Sequence, residues 1–351
     1  MSGGVDSSVA AAMLVREGHE VVGCFMRLGS PGEALDTLVK EGEVCENPAN
    51  IKIGHQGCCS IADAADARAV AAELGIPFYV CNFKKDFGRI IDYFVDEYAM
   101  GRTPNPCVRC NDWLKFGKLH EYAGQIGAAS VASGHYAQIG ASPASGGAPV
   151  LMQGHDRSKD QSYVLFGVPR EQLPQIRFPI GHLPKPEVRE LARAWGLPVF
   201  DKPDSQEICF VPDGDYAALV ERRRPELARE GRFVDESGRE VGRHGGQHRV
   251  TIGQRKGMSL SLGYPVFVTA KDPATNTVVV GPRSAAESFC LEAAEANWLV
   301  DAPTTELRVL AKYRYNSAAA PATVRVLPPV AGVEGPSGRT GRFEVRFDEP
   351  Q

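Results

Sequence analysis

At 351 residues the chain is long enough for two or three domains, and its 43% apolar content is that of a soluble globular protein with an ample core. A net charge of −4 excludes a general nucleic-acid coat, so any RNA contact must come from a local basic face. No apolar run is long enough to span a membrane, no secretory signal precedes the first motif, and the nine cysteines, odd in number and irregularly spaced, do not form a secreted disulfide framework, so a cytoplasmic protein with reactive, metal-binding or buried thiols is expected.

The first eight residues, Met1-Ser2-Gly3-Gly4-Val5-Asp6-Ser7-Ser8, are the stretch around which the rest is organised. Adjacent glycines reach backbone angles closed to other residues, so successive N–H groups can turn inward as an anion-binding nest. Ser2, Ser7 and Ser8 add hydroxyls, and a helix predicted over residues 9–17 opens its N-terminus toward the same point. The loop lacks the Walker ending and the dinucleotide-fold spacing. It resembles instead the pyrophosphate-binding loop of ATP pyrophosphatases. A serine- and glycine-rich turn that only caps a helix is the plainer alternative.

Val21 to Leu28 reads as a strand buried on both faces, with Met26 at its carboxyl end, where open α/β sheets bind ligands. Residues 29–59 are irregular and polar and read as a long insertion or mobile flap. Ser60 is the expected cap of a helix that Gly75-Ile76-Pro77 ends. A strand over Phe78–Phe83, an amphipathic helix over Asp86–Met100, a helix over Asn111–Ile126 and a strand over Ser130–Ser133 follow. This alternation predicts a doubly wound parallel sheet. A phosphate loop of this kind is expected to hang from a preceding strand, and the sequence opens inside the loop. Tyr216–Glu230 predicts a short charged helix broken at Pro225, and residues 231–263 are rich in Gly, Arg and His. From Tyr264 strands dominate, with a hairpin across Asp272–Asn276, and predict a small antiparallel β-barrel. The expected domains are residues 1–212, 213–263 and 264–351.

Two further stretches carry chemistry. Gly101-Arg102-Thr103-Pro104-Asn105-Pro106-Cys107-Val108-Arg109-Cys110-Asn111 presents a Cys-x-x-Cys pair at a helix start beside two arginines, a setting that favours thiolate. A zinc half-site or a plain redox disulfide is the alternative, but no second pair at similar spacing is present. Cys209, in Asp204-Ser205-Gln206-Glu207-Ile208-Cys209-Phe210, is by itself as readily a buried apolar residue. Gly134-His135-Tyr136 follows a strand at the ligand-binding edge. Asp156–Tyr163 gathers polar groups before an expected apolar helix, where they either cap it or grip RNA.

Taken together, Ser-Gly-Gly-Val-Asp-Ser-Ser, Phe25-Met26, residues 101–111, Gly134-His135-Tyr136, Lys159-Asp160-Gln161-Ser162-Tyr163, Ile208-Cys209-Phe210 and Gly253-Gln254-Arg255-Lys256-Gly257 resemble, in this order, the tRNA-specific 2-thiouridylases. The resemblance implies a PP-loop, adenine nucleotide α-hydrolase-like fold. It implies ATP and Mg²⁺ as reactants, and tRNA bearing uridine 34 as substrate. It implies a sulfur-donor protein, a cysteine desulfurase or a sulfur carrier, as partner. It assigns Ser2, Gly3, Gly4, Val5, Asp6, Ser7, Met26 and Gly134 to ATP, and Cys110 and Cys209 to catalysis. Asn105, Pro106, Cys107, His135, Lys159, Asp160, Gln161, Arg314 and Tyr315 are assigned to tRNA. Relatives often carry Asp at position 107, so Cys107, Cys110 and Cys209 could instead hold a [4Fe–4S] cluster. Measured against the family, the chain is expected to be shortened at both ends. An ATP-pyrophosphatase ligase or amidotransferase, or an RNA-binding protein with a vestigial nucleotide site, are the competing readings.

Overall fold

Glycines at 3, 18 and 75 with positive φ punctuate the first helices, and the elements between them follow the expected alternation. The computed structural model describes residues 1–29, 61–141, 146–204, 208–211, 213–315, 317–328, 339 and 341–351. The expected insertion and the Ser60 cap therefore lie outside the described residues. The chain divides into two units, Met1–Ile90 with Pro106–Gly214, and Ile91–Asn105 with Asp215–Gln351.

The first unit opens with α1 (Val5–Arg16), four residues earlier than expected, so that Val5 to Ser8 form its first turn. The early start follows from the apolar stripe. Val5, Val9, Ala10 and Ala12 are buried together, at helical spacing, against Val188, Ala192 and Leu197. β1 (Gly23–Arg27) follows, then α2 (Ile61–Glu73), then β2 (Phe78–Asn82), which pairs parallel with β1 and sets Met26 opposite Cys81. β1 alternates between buried and half-buried residues, so it is not buried on both faces as its apolar run suggested.

α3 (Lys84–Ala99) leads to the 100–105 turn, and the division between units falls within it. Next comes one continuous helical run: α4 (Pro106–Arg109), a π-helical stretch (Cys110–Lys118) and α5 (Leu119–Gln125). The helix thus starts at Pro106 rather than Asn111, with proline in the first turn, where its missing N–H costs nothing. β3 (Val131–Ala132) pairs parallel with β6 (Ile176–Arg177), and β4 (Ala137–Ala141) forms a hairpin with β5 (Pro149–Gln153). The apolar helix expected after Tyr163 is a three-residue 3₁₀ turn, Ser162–Val164. α6 (Lys185–Ala194) then packs on α1.

The second unit carries α7 (Tyr216–Arg223), which ends just before a 3₁₀ turn at Pro225 as expected. β7 (Gly231–Val234) and β8 (Glu240–His244) join β9 (Phe267–Asp272) and β10 (Thr277–Gly281) in one sheet of order β8-β7-β10-β9. The division expected at residue 263 therefore falls inside a sheet, and the pairing of β10 with β7 is parallel. The expected hairpin closes across Asp272–Asn276, with Asn276 in the left-handed region. β11 (Cys290–Ala293), β12 (Leu307–Ala311), β13 (Ala320–Leu327) and β14 (Arg342–Phe347) form a second, antiparallel sheet of order β11-β14-β13-β12. Its buried face is Ala322, Val324, Val345 and Phe347. No described helix is long and apolar enough to cross a membrane.

Candidate active site

Gly4 is the N-cap of α1 in extended conformation and supplies no side-chain cap. The first intrahelical bond is Ser8 N–H to the Gly4 carbonyl, so the N–H groups of Val5, Asp6 and Ser7 are first-turn donors with no carbonyl in a preceding turn. The Ser7 hydroxyl accepts from Ser2 N–H at 3.1 Å and lies 3.1 Å from the Ser2 hydroxyl. Ser8 turns inward and donates to the Gly4 carbonyl at 2.8 Å. The first-turn N–H groups and the exposed Ser2 hydroxyl thus lie at the positive end of a helix as the donor set of a phosphate cradle, while the Ser7 hydroxyl donates to the Gly4 carbonyl at 3.2 Å.

Two glycines make the cradle possible by close approach. Gly3 has φ +72, and a Cβ there would meet the Asp63 carbonyl oxygen at 2.2 Å. Gly134 lies against the loop backbone, where a Cβ would be 2.6 Å from Ser7 N. The loop's own carboxylate turns away from the cradle. Asp6 accepts from the Tyr136 hydroxyl at 2.8 Å and from Lys185 Nζ at 2.8 Å through both oxygens. Lys185 also meets Asp204 Oδ1 at 2.8 Å, and Lys202 donates to the Gly3 carbonyl at 3.0 Å and to Asp63 and Asp66 at 2.6 Å. Burial alone would raise the Asp204 carboxyl, but hydrogen bonds from Lys185 and Lys159 outweigh it and hold it below the usual range. Burial and the neighbouring Asp6 push the Tyr136 phenol up, so it stays a proton donor to Asp6. Neither Lys185 nor Lys202 was singled out by sequence. Their only local signal is proline beside each, Pro184-Lys185-Pro186 and Lys202-Pro203.

The thiols are carried by two segments that pack on the first turns of α3. Phe210, next to Cys209, stacks edge-on against Phe87 at 5.6 Å, and Arg89 lies 4.2 Å over the ring of Trp113 in the π-helical stretch. Cys107 is exposed, while Cys110 and Cys209 are half-buried. The π-helical geometry brings Gly117 so close to Asp112 that a Cβ would lie 2.9 Å from its carbonyl oxygen. Asn111 is buried and donates to the Val164 carbonyl at 2.9 Å. The two arginines expected to favour thiolate both have acidic partners. Arg102 meets Glu97 at 2.6 Å, and Arg109 meets Asp112 at 3.8 Å. Among the described residues no three His, Cys, Asp or Glu side chains gather as a metal-holding group. Cys107, Cys110 and Cys209 are thus not gathered into one such group.

The residues expected at tRNA fall into two kinds. His135 is buried between Phe116 and Phe178, with Ser133 at 2.6 Å and Lys115 at 3.5 Å; burial, then Lys115, holds it neutral, well below the ordinary histidine value. Asp160 is buried and accepts from Gly154 N–H, Ser162 N–H and the Ser162 hydroxyl. The Gln161 side-chain carbonyl accepts from Tyr136 N–H at 3.0 Å, and the Gln161 N–H donates to the Tyr136 carbonyl. These three order the fold around Gly134 and Tyr136. Pro106 is buried and Asn105 half-buried. Lys159, Arg314 and Tyr315 are exposed instead. In the second unit Arg314 lies over Gly253, with Arg255 and Lys256 also exposed, so Arg314, Tyr315 and the 253–257 motif form one basic, aromatic face.

Fold and loop together define the class: an α/β nucleotide-binding domain of the HUP type with a pyrophosphate loop. Residues 1–213 match the family described as "tRNA methyl transferase HUP domain", and residues 218–282 the one described as "tRNA methyl transferase PRC-barrel domain". The second match spans the β8-β7-β10-β9 sheet. Over all or nearly all of its length the chain is similar to proteins named tRNA-specific 2-thiouridylase MnmA. Identity is 43% with that of Rhodopirellula baltica (100% of this chain, 89% of the relative). It is 44% with that of Geotalea uraniireducens (99% and 86%) and 44% with that of Geobacter metallireducens (100% and 89%). The chain belongs to the tRNA-specific 2-thiouridylase family.

Proposed function

We propose that the protein is a tRNA-uridine 2-sulfurtransferase that uses ATP to convert uridine 34 of the anticodon to 2-thiouridine in the cytoplasm. The observation that carries this reading is the uncapped start of α1, held open by Gly3 and Gly134, in a chain with full-length likeness to 2-thiouridylases. Ser2 to Ser7 hold the ATP phosphates, with Met26 beside the base. Mg²⁺ held with the ATP phosphates at this loop would supply neutralisation of their charge. The C2 oxygen of the uracil attacks the α-phosphorus, and pyrophosphate leaves. A persulfide on Cys209, loaded by a cysteine desulfurase or sulfur carrier, attacks C2 through its outer sulfur, and AMP leaves. The Cys110 thiolate then attacks the Cys209 sulfur, which frees the thiocarbonyl and leaves a Cys110–Cys209 disulfide for an external thiol to reduce. Asn105, Pro106 and Cys107 face the target base, and Lys159, Arg314 and Tyr315 contact the tRNA. His135, Asp160 and Gln161 serve it from buried or backbone-bonded positions, by shaping the surface around Tyr136.

The test is formation of 2-thiouridine from ATP, Mg²⁺, a sulfur donor and unmodified tRNA, with protein purified without oxygen. Thiolation is expected to be lost in Cys110→Ala and Cys209→Ala and kept in Cys107→Ala, in iron-free protein. Loss in all three with iron-dependent activity would replace the persulfide by a cluster. Pyrophosphate release on a small substrate with no thiolation would replace the whole reading by a ligase.

A further inference from the structure

The peptide between Gly3 and Gly4 is pinned from outside the loop. Its carbonyl, on Gly3, accepts from Lys202 Nζ at 3.0 Å. The same ammonium donates to Asp63 and to Asp66 at 2.6 Å, so its three donors are all committed. Asp63 and Asp66 stand three positions apart on α2 and so share one face. The Asp63 backbone lies so close to Gly3 that a Cβ there would overlap its carbonyl. Burial alone would lower the Lys202 ammonium, but hydrogen bonds with the two carboxylates outweigh it and hold it above the ordinary lysine value, so it stays charged. A trans peptide directs its N–H opposite to its carbonyl. No cis peptide occurs here, so the bond to Lys202 turns the Gly4 N–H away from that side chain. Among the described residues nothing accepts from this N–H, and it directly precedes the first-turn N–H groups of Val5, Asp6 and Ser7. Between two glycines a peptide can flip at little steric cost, so its orientation has to be imposed from outside.

We propose that Lys202 is a positioning residue for the phosphate loop: by holding the Gly3 carbonyl it points the Gly4 N–H at the pyrophosphate group of a bound nucleotide. The proposal rests on the reading of Ser2–Ser7 as the ATP loop. Lys202 is not itself the phosphate ligand, because its donors are taken and its charge is outweighed by the two carboxylates it holds. Its part is to suppress the flipped state of the peptide, in which a carbonyl oxygen would face the phosphates. A ligand that needs one of two backbone states binds more weakly by the fraction lost to the other.

The measurement is calorimetric binding of Mg·ATP, of magnesium pyrophosphate and of adenosine to the full chain, with a urea midpoint for each variant. Lys202→Met is expected to weaken ATP and pyrophosphate at least about tenfold, the effect of a flipped state that takes up nine-tenths of the molecules, and to leave adenosine within about twofold. Lys202→Arg, which can still donate to Gly3 and to the carboxylates, should recover most of the loss. Lys202→Met also strips Asp63 and Asp66 of their cation, so the triple variant Lys202→Met, Asp63→Asn, Asp66→Asn separates charge from geometry. The pyrophosphate loss should persist in it, and a return to the unsubstituted affinity would replace positioning by plain repulsion. Asp66→Asn weakens only the more exposed anchor; it should give a smaller loss with the same selectivity for pyrophosphate, and it covers the case in which Lys202→Met fails to fold. Unchanged pyrophosphate affinity in Lys202→Met, or equal losses for pyrophosphate and adenosine, would overturn the proposal whatever happens to the urea midpoint. The selective loss in protein that makes no 2-thiouridine would support the positioning role and count against the proposed reaction, and an unsubstituted protein that binds neither ATP nor pyrophosphate would overturn both.

Discussion

The phosphate loop and the C-terminal sheet are both rich in ion pairs, and they use them in opposite ways. Around the loop the pairs are shielded and join residues more than 130 positions apart: Asp6 with Lys185, Asp63 with Lys202. They fix the backbone of a segment with almost no side-chain bulk of its own. In the sheet the pairs lie on the outer face, Arg308 with Asp348 and Arg342 with Glu292, while alternating Ala322, Val324, Val345 and Phe347 hold the strands. Removing one member of a buried pair strands a charge. Removing one member of a surface pair leaves its partner to water.

That contrast is broken most sharply at Lys185. Lys185→Met leaves Asp6 without its cation while Asp204 keeps Arg189 and Lys159, and is expected to cost about 3 kcal/mol of unfolding free energy, the low end for a buried pair, measured by urea denaturation. An unchanged midpoint would show that the loop does not depend on the pair. Next in size are Gly3→Ala and Gly134→Ala, which force a Cβ into backbone and should cost about 1–3 kcal/mol in the loop's working geometry. Calorimetry should read this as roughly a 5- to 150-fold loss of ATP affinity.

Histidines sharpen the comparison through pH. Burial holds His135, His244 and His248 below the ordinary value, so the unfolded chain takes up protons near about pH 6.5 that the folded chain refuses. Stability should therefore fall as pH drops from 7 toward 5.5, by at most about 1.4 kcal/mol per pH unit for each such histidine. His135→Phe, which fits its aromatic neighbours, should make the fall shallower in the first unit. The smallest effect belongs to the sheet: Arg308→Ala should leave the thermal midpoint essentially where it is, because both partners stand in solvent.

Much of the architecture was legible before any coordinates. The strand–helix alternation, the Pro225 break, the Asp272–Asn276 hairpin and the loop's phosphate character all come from local chemistry: φ restrictions, period and turn residues. The departures share one cause. α1 starts at Val5 and the 106–125 helix at Pro106 because apolar residues inside the motifs, Val5 and Val108, are buried, Val5 against Val188, Ala192 and Leu197 far along the chain. A motif read as a loop does not show that its valine is core. β7 and β8 were missed because Gly, Arg and His hid strands that pairing with β10 completes.

The sequence by itself marked the candidates for the proposed chemistry: the Gly-Gly loop, the thiols at 110 and 209, and the basic 253–257 motif. Those groups are defined by their covalent nature and their immediate neighbours. Tertiary structure decided how they are held. It turned Asp6 away from the cradle and onto Lys185, committed Asp160 and Gln161 to bonds around Tyr136, and neutralised His135 by burial. It also brought in Lys185 and Lys202, on which no motif reports. A lysine's partners depend on which carboxylates the fold delivers within about 3 Å, and that distance is set by packing across the whole unit rather than by spacing along the chain.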